Sequence, residues 1–302
     1  MIVYSKERVT CLLEDHIRKS SSFVMMICVL LIMLIIVPLG LPADRTLAAV
    51  TVHPLATKAA EKAFKEGGNA VDAAVASALT LGVVDGFNSG IGGGCFMLIR
   101  KSDGEFIAID GRETAPSKAS RDMYLRDGIA KPELSQTGAL AIGIPGALAA
   151  YNLAINKYGN LDFAKLLRQA AMIADEGFLL DDSYLVRLKK VVNKLRLFPA
   201  SSRIFLDPNG SPWPKGYRLK QSDLAKSYRN IANHSVDWFY KGPFALKTEH
   251  WMVVNGGLIV HEDFISYEAK QREPVRTTYR DHEIIGFPPP SSGGVHVAQI
   301  LN

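Results

Sequence analysis

The stretch that most constrains this chain is residues 70–84, Ala-Val-Asp-Ala-Ala-Val-Ala-Ser-Ala-Leu-Thr-Leu-Gly-Val-Val. Asn69 can cap a helix at this point, and the run that follows is almost entirely Ala, Val and Leu. A helix that is apolar all round offers no face to water, so it must be buried between other elements. With 302 residues the chain is long enough for one large domain or two small ones. Its 48% hydrophobic and 22% charged residues place it with globular proteins.

The flanking sequence supplies candidates for the surrounding layers. His53-Pro54-Leu55 opens an amphipathic stretch carrying Leu55, Ala59, Ala63 and Phe64 at helical spacing, stopped by Gly67-Gly68. Gly90, Gly92, Gly93 and Gly94 form a loop that no stable helix contains. Residues 95–100 and 105–110 read as two strands joined by a turn at 101–104. Pro145 suits the first turn of a helix bearing Leu148, Tyr151, Ile155 and Tyr158, which Gly159 ends. Another helix carries Phe163, Leu166, Leu167, Ala170 and Ile173 up to Gly177, and a third covers 184–197. A turn-rich connector over 207–216 leads to a helix marked by Leu224, Tyr228 and Ile231. Residues 274–278 and 283–287 flank a hairpin turn at 279–282. The proline-then-glycine stretch 288–294 reads as a connector, with a last helix beginning near Val295.

The N-terminus has a different character. Residues 23–37 are unbroken apolar sequence after Arg18 and Lys19. As a helix they reach about 22 Å, short of a bilayer core of about 30 Å. Pro38, Gly40 and Pro42 follow, then small residues at Ala43, Ala48 and Ala49. That order fits a secretory signal peptide, and an uncleaved membrane anchor through residues 23–37 is the alternative. Residues 1–49 are therefore expected to be a leader and short linker, and the product to be exported, periplasmic or extracellular.

The net charge of +5 is spread along the chain. Its densest basic patch (Lys189, Lys190, Lys194, Arg196) alternates with Val191, Val192, Leu195 and Leu197, as on the solvated face of an amphipathic helix. No nucleic-acid-binding signature accompanies it. Cys11 and Cys28 lie in the leader, which leaves Cys95 alone in a processed chain. There is no CxxC, no Cys/His cluster and no HExxH pair, so neither a metal nor a cofactor is expected.

The common catalytic signatures are missing: no GxSxG elbow, no P-loop, no GxGxxG. The glycine loop at 90–94 can cradle an anion with backbone N–H groups, or it can simply allow tight packing. Arg112 stands just past a strand end, in Asp110-Gly111-Arg112-Glu113, a place shared by functional and ordinary surface arginines. Ser291 and Ser292 have no His or Asp placed to activate them. Asn233-His234-Ser235 fits a glycosylation pattern of little specificity.

As an ordered set these stretches say more. They are residues 53–57 (His-Pro-Leu-Ala-Thr), 67–76 (Gly-Gly-Asn-Ala-Val-Asp-Ala-Ala-Val-Ala) and 90–94 (Gly-Ile-Gly-Gly-Gly). Then come 110–116 (Asp-Gly-Arg-Glu-Thr-Ala-Pro), 143–146 (Gly-Ile-Pro-Gly), 239–243 (Phe-Tyr-Lys-Gly-Pro) and 288–294. In that order and at those intervals, the chain from about His53 to Asn302 resembles the γ-glutamyltranspeptidase family. The resemblance implies an α/β fold, the αββα sandwich of N-terminal-nucleophile hydrolases, incomplete here, with residues 50–302 as a large-subunit region. It implies a precursor that cuts itself to expose a threonine, whose free α-amine, with a pKa of about 7.7–8.0, can act as base for its own hydroxyl. The substrates implied are glutathione or other γ-glutamyl donors, with water, an amino acid or a peptide as acceptor. Arg112 matches the arginine that grips the donor's α-carboxylate. The threonine and most other γ-glutamyl contacts of the family lie beyond the proline-rich connector. No catalytic residue is therefore assigned within these 302 residues, which alone are expected to be inactive without a C-terminal small subunit. Two alternatives stand beside this: a related acylase of the same fold, and a non-catalytic fragment of a broken or split gene.

Overall fold

The structure, a computed structural model, describes residues 47–302, and the apolar run at 23–37 lies outside them. His53 adopts extended backbone, and its Nδ1 accepts from the Leu55 N–H at 3.1 Å, starting helix α1 (Pro54–Lys65). Pro54 at the first helical position sacrifices no hydrogen bond. After Gly67-Gly68, Asn69 caps α2 (Ala70–Val84), and Asp72 returns the bond to the Asn69 N–H at 2.7 Å. The fully buried Asp72 carboxylate also accepts from the Asn160 and Leu161 N–H groups, each at 2.9 Å. A buried charge is tolerable because every side of it is bonded, and here it ties the start of α2 to a turn 88 residues away.

Helix α2 is clasped as its composition requires. Eleven of its 15 residues are buried, against α1, α3 (Ala147–Tyr158) and α4 (Phe163–Glu176). Its hydroxyls do not compete with the packing: Ser77 donates to the Ala56 carbonyl and Thr80 to the Ala76 carbonyl.

Strand β1 (Cys95–Arg100) pairs antiparallel with β2 (Phe106–Gly111), Cys95 opposite Gly111. Two-stranded pairs follow: β3 (Leu125–Arg126) with β4 (Ile129–Ala130), and β5 (Phe178–Leu179) with β6 (Arg218–Leu219). Strand β7 (Lys270–Arg272) joins the free side of β2, Asp110 opposite Lys270, giving the order β1-β2-β7. The central strand is therefore β2, and residues 107–111 are all buried. Helix α3 packs on both β1 and β2 as well as on α2.

Helices α5 (Asp182–Arg196), α6 (Pro199–Phe205) and α7 (Ser222–His234) complete the helical part. Tyr184 and Leu188 anchor α5 while Lys189, Lys190, Lys194 and Arg196 are exposed, the solvated face expected. Tyr228 on α7 donates to the Leu79 carbonyl at 3.0 Å, with no exposure at either residue. Short α8 (Asp237–Tyr240), α9 (Pro243–Asn255) and α10 (His261–Ile265) lead into β7. A hairpin of β8 (Val275–Tyr279) and β9 (His282–Gly286) precedes α11 (Gly293–Leu301). No helix among the described residues is long and apolar enough to cross a membrane.

Three boundaries differ from the sequence reading. Pro145 lies before α3 rather than in its first turn, because Ile144 is held extended by a bridge to Thr114. Helix α6 follows α5 after a two-residue break, with Pro199 restarting the helix where none was expected. The last helix starts at Gly293, inside the supposed connector. A side chain on Gly294 would come within 3.0 Å of the Gly286 carbonyl carbon, so glycine lets this helix begin flush against the hairpin.

Candidate functional site

Arg112 follows directly on β2, and the structure holds its backbone from two directions. Its N–H donates to Asp110 Oδ1 at 2.9 Å, and its carbonyl accepts from the Tyr267 hydroxyl at 2.8 Å. The second Asp110 oxygen accepts from Arg272 Nε at 2.7 Å, across from β7. Asp110 is 6% exposed, so this carboxylate spends both oxygens on positioning and is not offered to a ligand. The guanidinium of Arg112 is different. Its side chain is 60% exposed, and the one charge within 4.0 Å of it among the described residues is Glu113, at 3.8 Å, a distance and setting in which an ion pair contributes little.

Two other motif stretches meet this one. Thr114 and Ile144 exchange backbone bonds at 3.3 and 2.8 Å, and the Gly93 carbonyl accepts from the Gly146 and Ala147 N–H groups, each at 3.0 Å. The glycine loop at 90–94, the strand end at 110–114 and the turn at 143–146 are thus laced into one structure, and α3 springs from it. Gly146 has no substitute, since a Cβ there would overlap the Tyr267 hydroxyl. In the loop at 90–94 the crowded glycine is Gly94, where a Cβ would come within 2.7 Å of the Gly111 carbonyl oxygen, while Gly90 and Gly92 have open space.

Cys95 sits beside these groups as a half-buried thiol. Burial, then the Glu113 and Asp110 charges, push its pKa up to about 12. It stays a thiol at neutral pH and is no nucleophile. Ser291 Oγ accepts from the Gly293 N–H, and neither the Ser291 nor the Ser292 hydroxyl bonds to a His, Asp or Glu side chain among the described residues. The site as described can therefore bind and orient a carboxylate through a planar, two-pronged guanidinium, and it contains no activated attacking group.

Sequence reasoning named Arg112, Asp110 and the glycines, and it missed Tyr267, Arg272 and Asp263. These three lie in residues 263–272, a stretch without turn signature or periodic pattern, and only their long-range partners mark them out.

Residues 56–302 match the family described as Gamma-glutamyltranspeptidase. The chain is 42% identical over 253 residues to the glutathione hydrolase proenzyme of Escherichia coli, covering 83% of this chain and 44% of that protein. It is 40% identical over 260 residues to the acylase ACY 1 proenzyme of Pseudomonas sp., covering 84% and 46%. It thus spans less than half the length of these relatives. Among solved structures, the gamma-glutamyltranspeptidase of Helicobacter pylori superposes with a TM-score of 0.82 at 38% identity, over 84% of this chain and 73% of that one. The α/β fold expected from the sequence is the fold of that enzyme. With three of the ordered motifs laced together beside one arginine and most of the chain matched in both sequence and structure, this protein belongs to the gamma-glutamyltranspeptidase family.

Proposed function

We propose that this chain supplies the donor-gripping half of a γ-glutamyl transfer or hydrolysis site, with Arg112 binding the α-carboxylate of glutathione or a related γ-glutamyl compound. The observation that carries the reading is the contrast within Arg112: both backbone polar atoms are bonded while the guanidinium remains exposed. Two parallel charge-assisted bonds would hold the carboxylate in one direction and leave the γ-amide facing away. Attack on that amide falls to the family's N-terminal threonine, supplied by the C-terminal small subunit and outside these residues. The acyl group then passes to water, an amino acid or a peptide. Residues 50–302 act as the large-subunit region.

The test is Arg112→Lys in the full-length protein. Lysine keeps the charge and loses the second prong, and a hydrogen bond to a charged group is worth about 1.5–3 kcal/mol. The KM for a γ-glutamyl anilide should rise roughly 10- to 150-fold. An unchanged KM would remove Arg112 from the donor site.

The similarity to an acylase proenzyme supports a second reading, an amide substrate with a different acyl group. Such a substrate, lacking an α-carboxylate, would be turned over equally by the wild type and by Arg112→Lys.

Residues 1–49 we read as an export leader or anchor, from the apolar run at 23–37 and the breakers after it. N-terminal sequencing of the exported fraction should find a start between residues 43 and 49. A chain beginning at Met1 in the membrane pellet would indicate the anchor, and intact soluble protein in the cytoplasm would exclude both.

A further inference from the structure

Residues 263–272 meet the Arg112 segment at three points, each more than 140 residues away in sequence. Asp263 Oδ1 accepts from the Ser117 N–H at 2.9 Å, the Tyr267 hydroxyl donates to the Arg112 carbonyl at 2.8 Å, and Arg272 Nε donates to Asp110 at 2.7 Å. The outer two ties are made by carboxylates that are 7% and 6% exposed, and they hold the ends of the segment. The middle tie alone touches Arg112. We infer that Tyr267 is a positioning residue for the donor site: its hydroxyl fixes the Arg112 peptide plane, and so the direction in which the guanidinium meets the donor carboxylate. This rests on the reading of Arg112 given above.

The geometry favours a dedicated role. With Asp110 holding the N–H and Tyr267 the carbonyl, Arg112 keeps only its side-chain torsions free. The Tyr267 ring lies nearly parallel to Tyr240, with centroids 5.8 Å apart and planes at 10°. Tyr240 in turn donates to the Pro145 carbonyl at 2.9 Å. The phenol is thus aimed by a stacked neighbour that is itself tied down, in space that Gly146 leaves open. Burial, followed by the Asp110 and Glu113 charges, raises the Tyr267 pKa, so the hydroxyl remains a donor at neutral pH. A two-pronged contact is sensitive to such support, because displacements of about 1 Å at a binding group can cost on the order of a hundredfold in rate.

The experiment compares two donors in the full-length protein, a γ-glutamyl anilide and the same anilide with its α-carboxylate converted to a neutral amide. The ratio of their kcat/KM values reports the carboxylate contact. Tyr267→Phe keeps the ring and its stacking and removes one neutral hydrogen bond. It should raise the KM for the carboxylate donor roughly 3- to 10-fold with little change in kcat, and shrink the ratio by the same factor. Added to Arg112→Lys, it should cause no further loss of the ratio, since the two act on one contact. Tyr228→Phe, which removes a buried hydrogen bond to the Leu79 carbonyl and touches no residue of the Arg112 segment, should lower the melting temperature and leave the ratio intact. If Arg112→Lys collapses the ratio and Tyr267→Phe does not, the inference is wrong while the reading of Arg112 stands. If neither variant changes the ratio, both fall together.

Discussion

Helices α2 and α9 are both rich in apolar residues and meet opposite fates. In α2, eleven of 15 residues are buried. In α9, only Ala245 and Met252 of 13 are, while Leu246, Val253 and Val254 stand 49%, 75% and 70% exposed. Helix α2 is enclosed by α1, α3 and α4, whereas α9 leans mainly on the short α8 and α10. Composition sets how much a helix would gain from burial, about 25 cal/mol per Å² of apolar surface. Its neighbours decide whether that gain is collected.

The sharpest test of this contrast is Leu79→Ala. Leu79 is fully buried in α2, and its carbonyl is bonded by Tyr228. The substitution should cost about 2–5 kcal/mol by urea unfolding. A loss below about 1 kcal/mol would mean the α2 clasp is looser than the packing indicates.

A smaller effect is expected where α1 meets α2. His53 caps α1 through an unprotonated Nδ1, and burial lowers its pKa below the ordinary 6.5, with Asp181 and Asp85 opposing. The folded state thus binds this proton less readily than the unfolded chain does. The resulting stability is present above pH 6.5 and is lost as pH falls through 6.5 toward the folded value. His53→Asn keeps a good capping side chain and does not titrate, so it should flatten the dependence of melting temperature on pH between about 7.5 and 5. An unchanged slope would assign the dependence to another group.

The smallest effect is expected at Val253. Changing it to Ser should alter stability by no more than about 0.5 kcal/mol, as at other surface sites. A loss comparable to that at Leu79 would show that α9 is covered in solution and that the contrast between the two helices is not real.

Much of the fold was legible because its signals are local. Asn69 and Asp72 make a capping box from neighbouring residues, Gly159 and Gly177 end helices, and the apolar run of α2 admits no solvent face. Two of the three differences share one cause. Pro145 was drawn out of its helix by the Thr114–Ile144 bridge, and Gly293 was drawn into one by the approach of α11 to β9. Each is a contact with a separate element overriding a helix's own preference, and the sequence of the helix carries no record of that partner.

The candidate site divides the same way. By itself the sequence determined the residue types at hand: a guanidinium just past a strand end, glycines where backbones must touch, and an order of motifs shared with one family. Only the tertiary structure decided that Asp110 would spend its charge on Arg272 and the Arg112 backbone, and that Tyr267 would cap the Arg112 carbonyl. The physical reason is that a hydrogen bond needs its two atoms within about 3 Å, and residues 110 and 272 reach that distance only once β7 has docked beside β2.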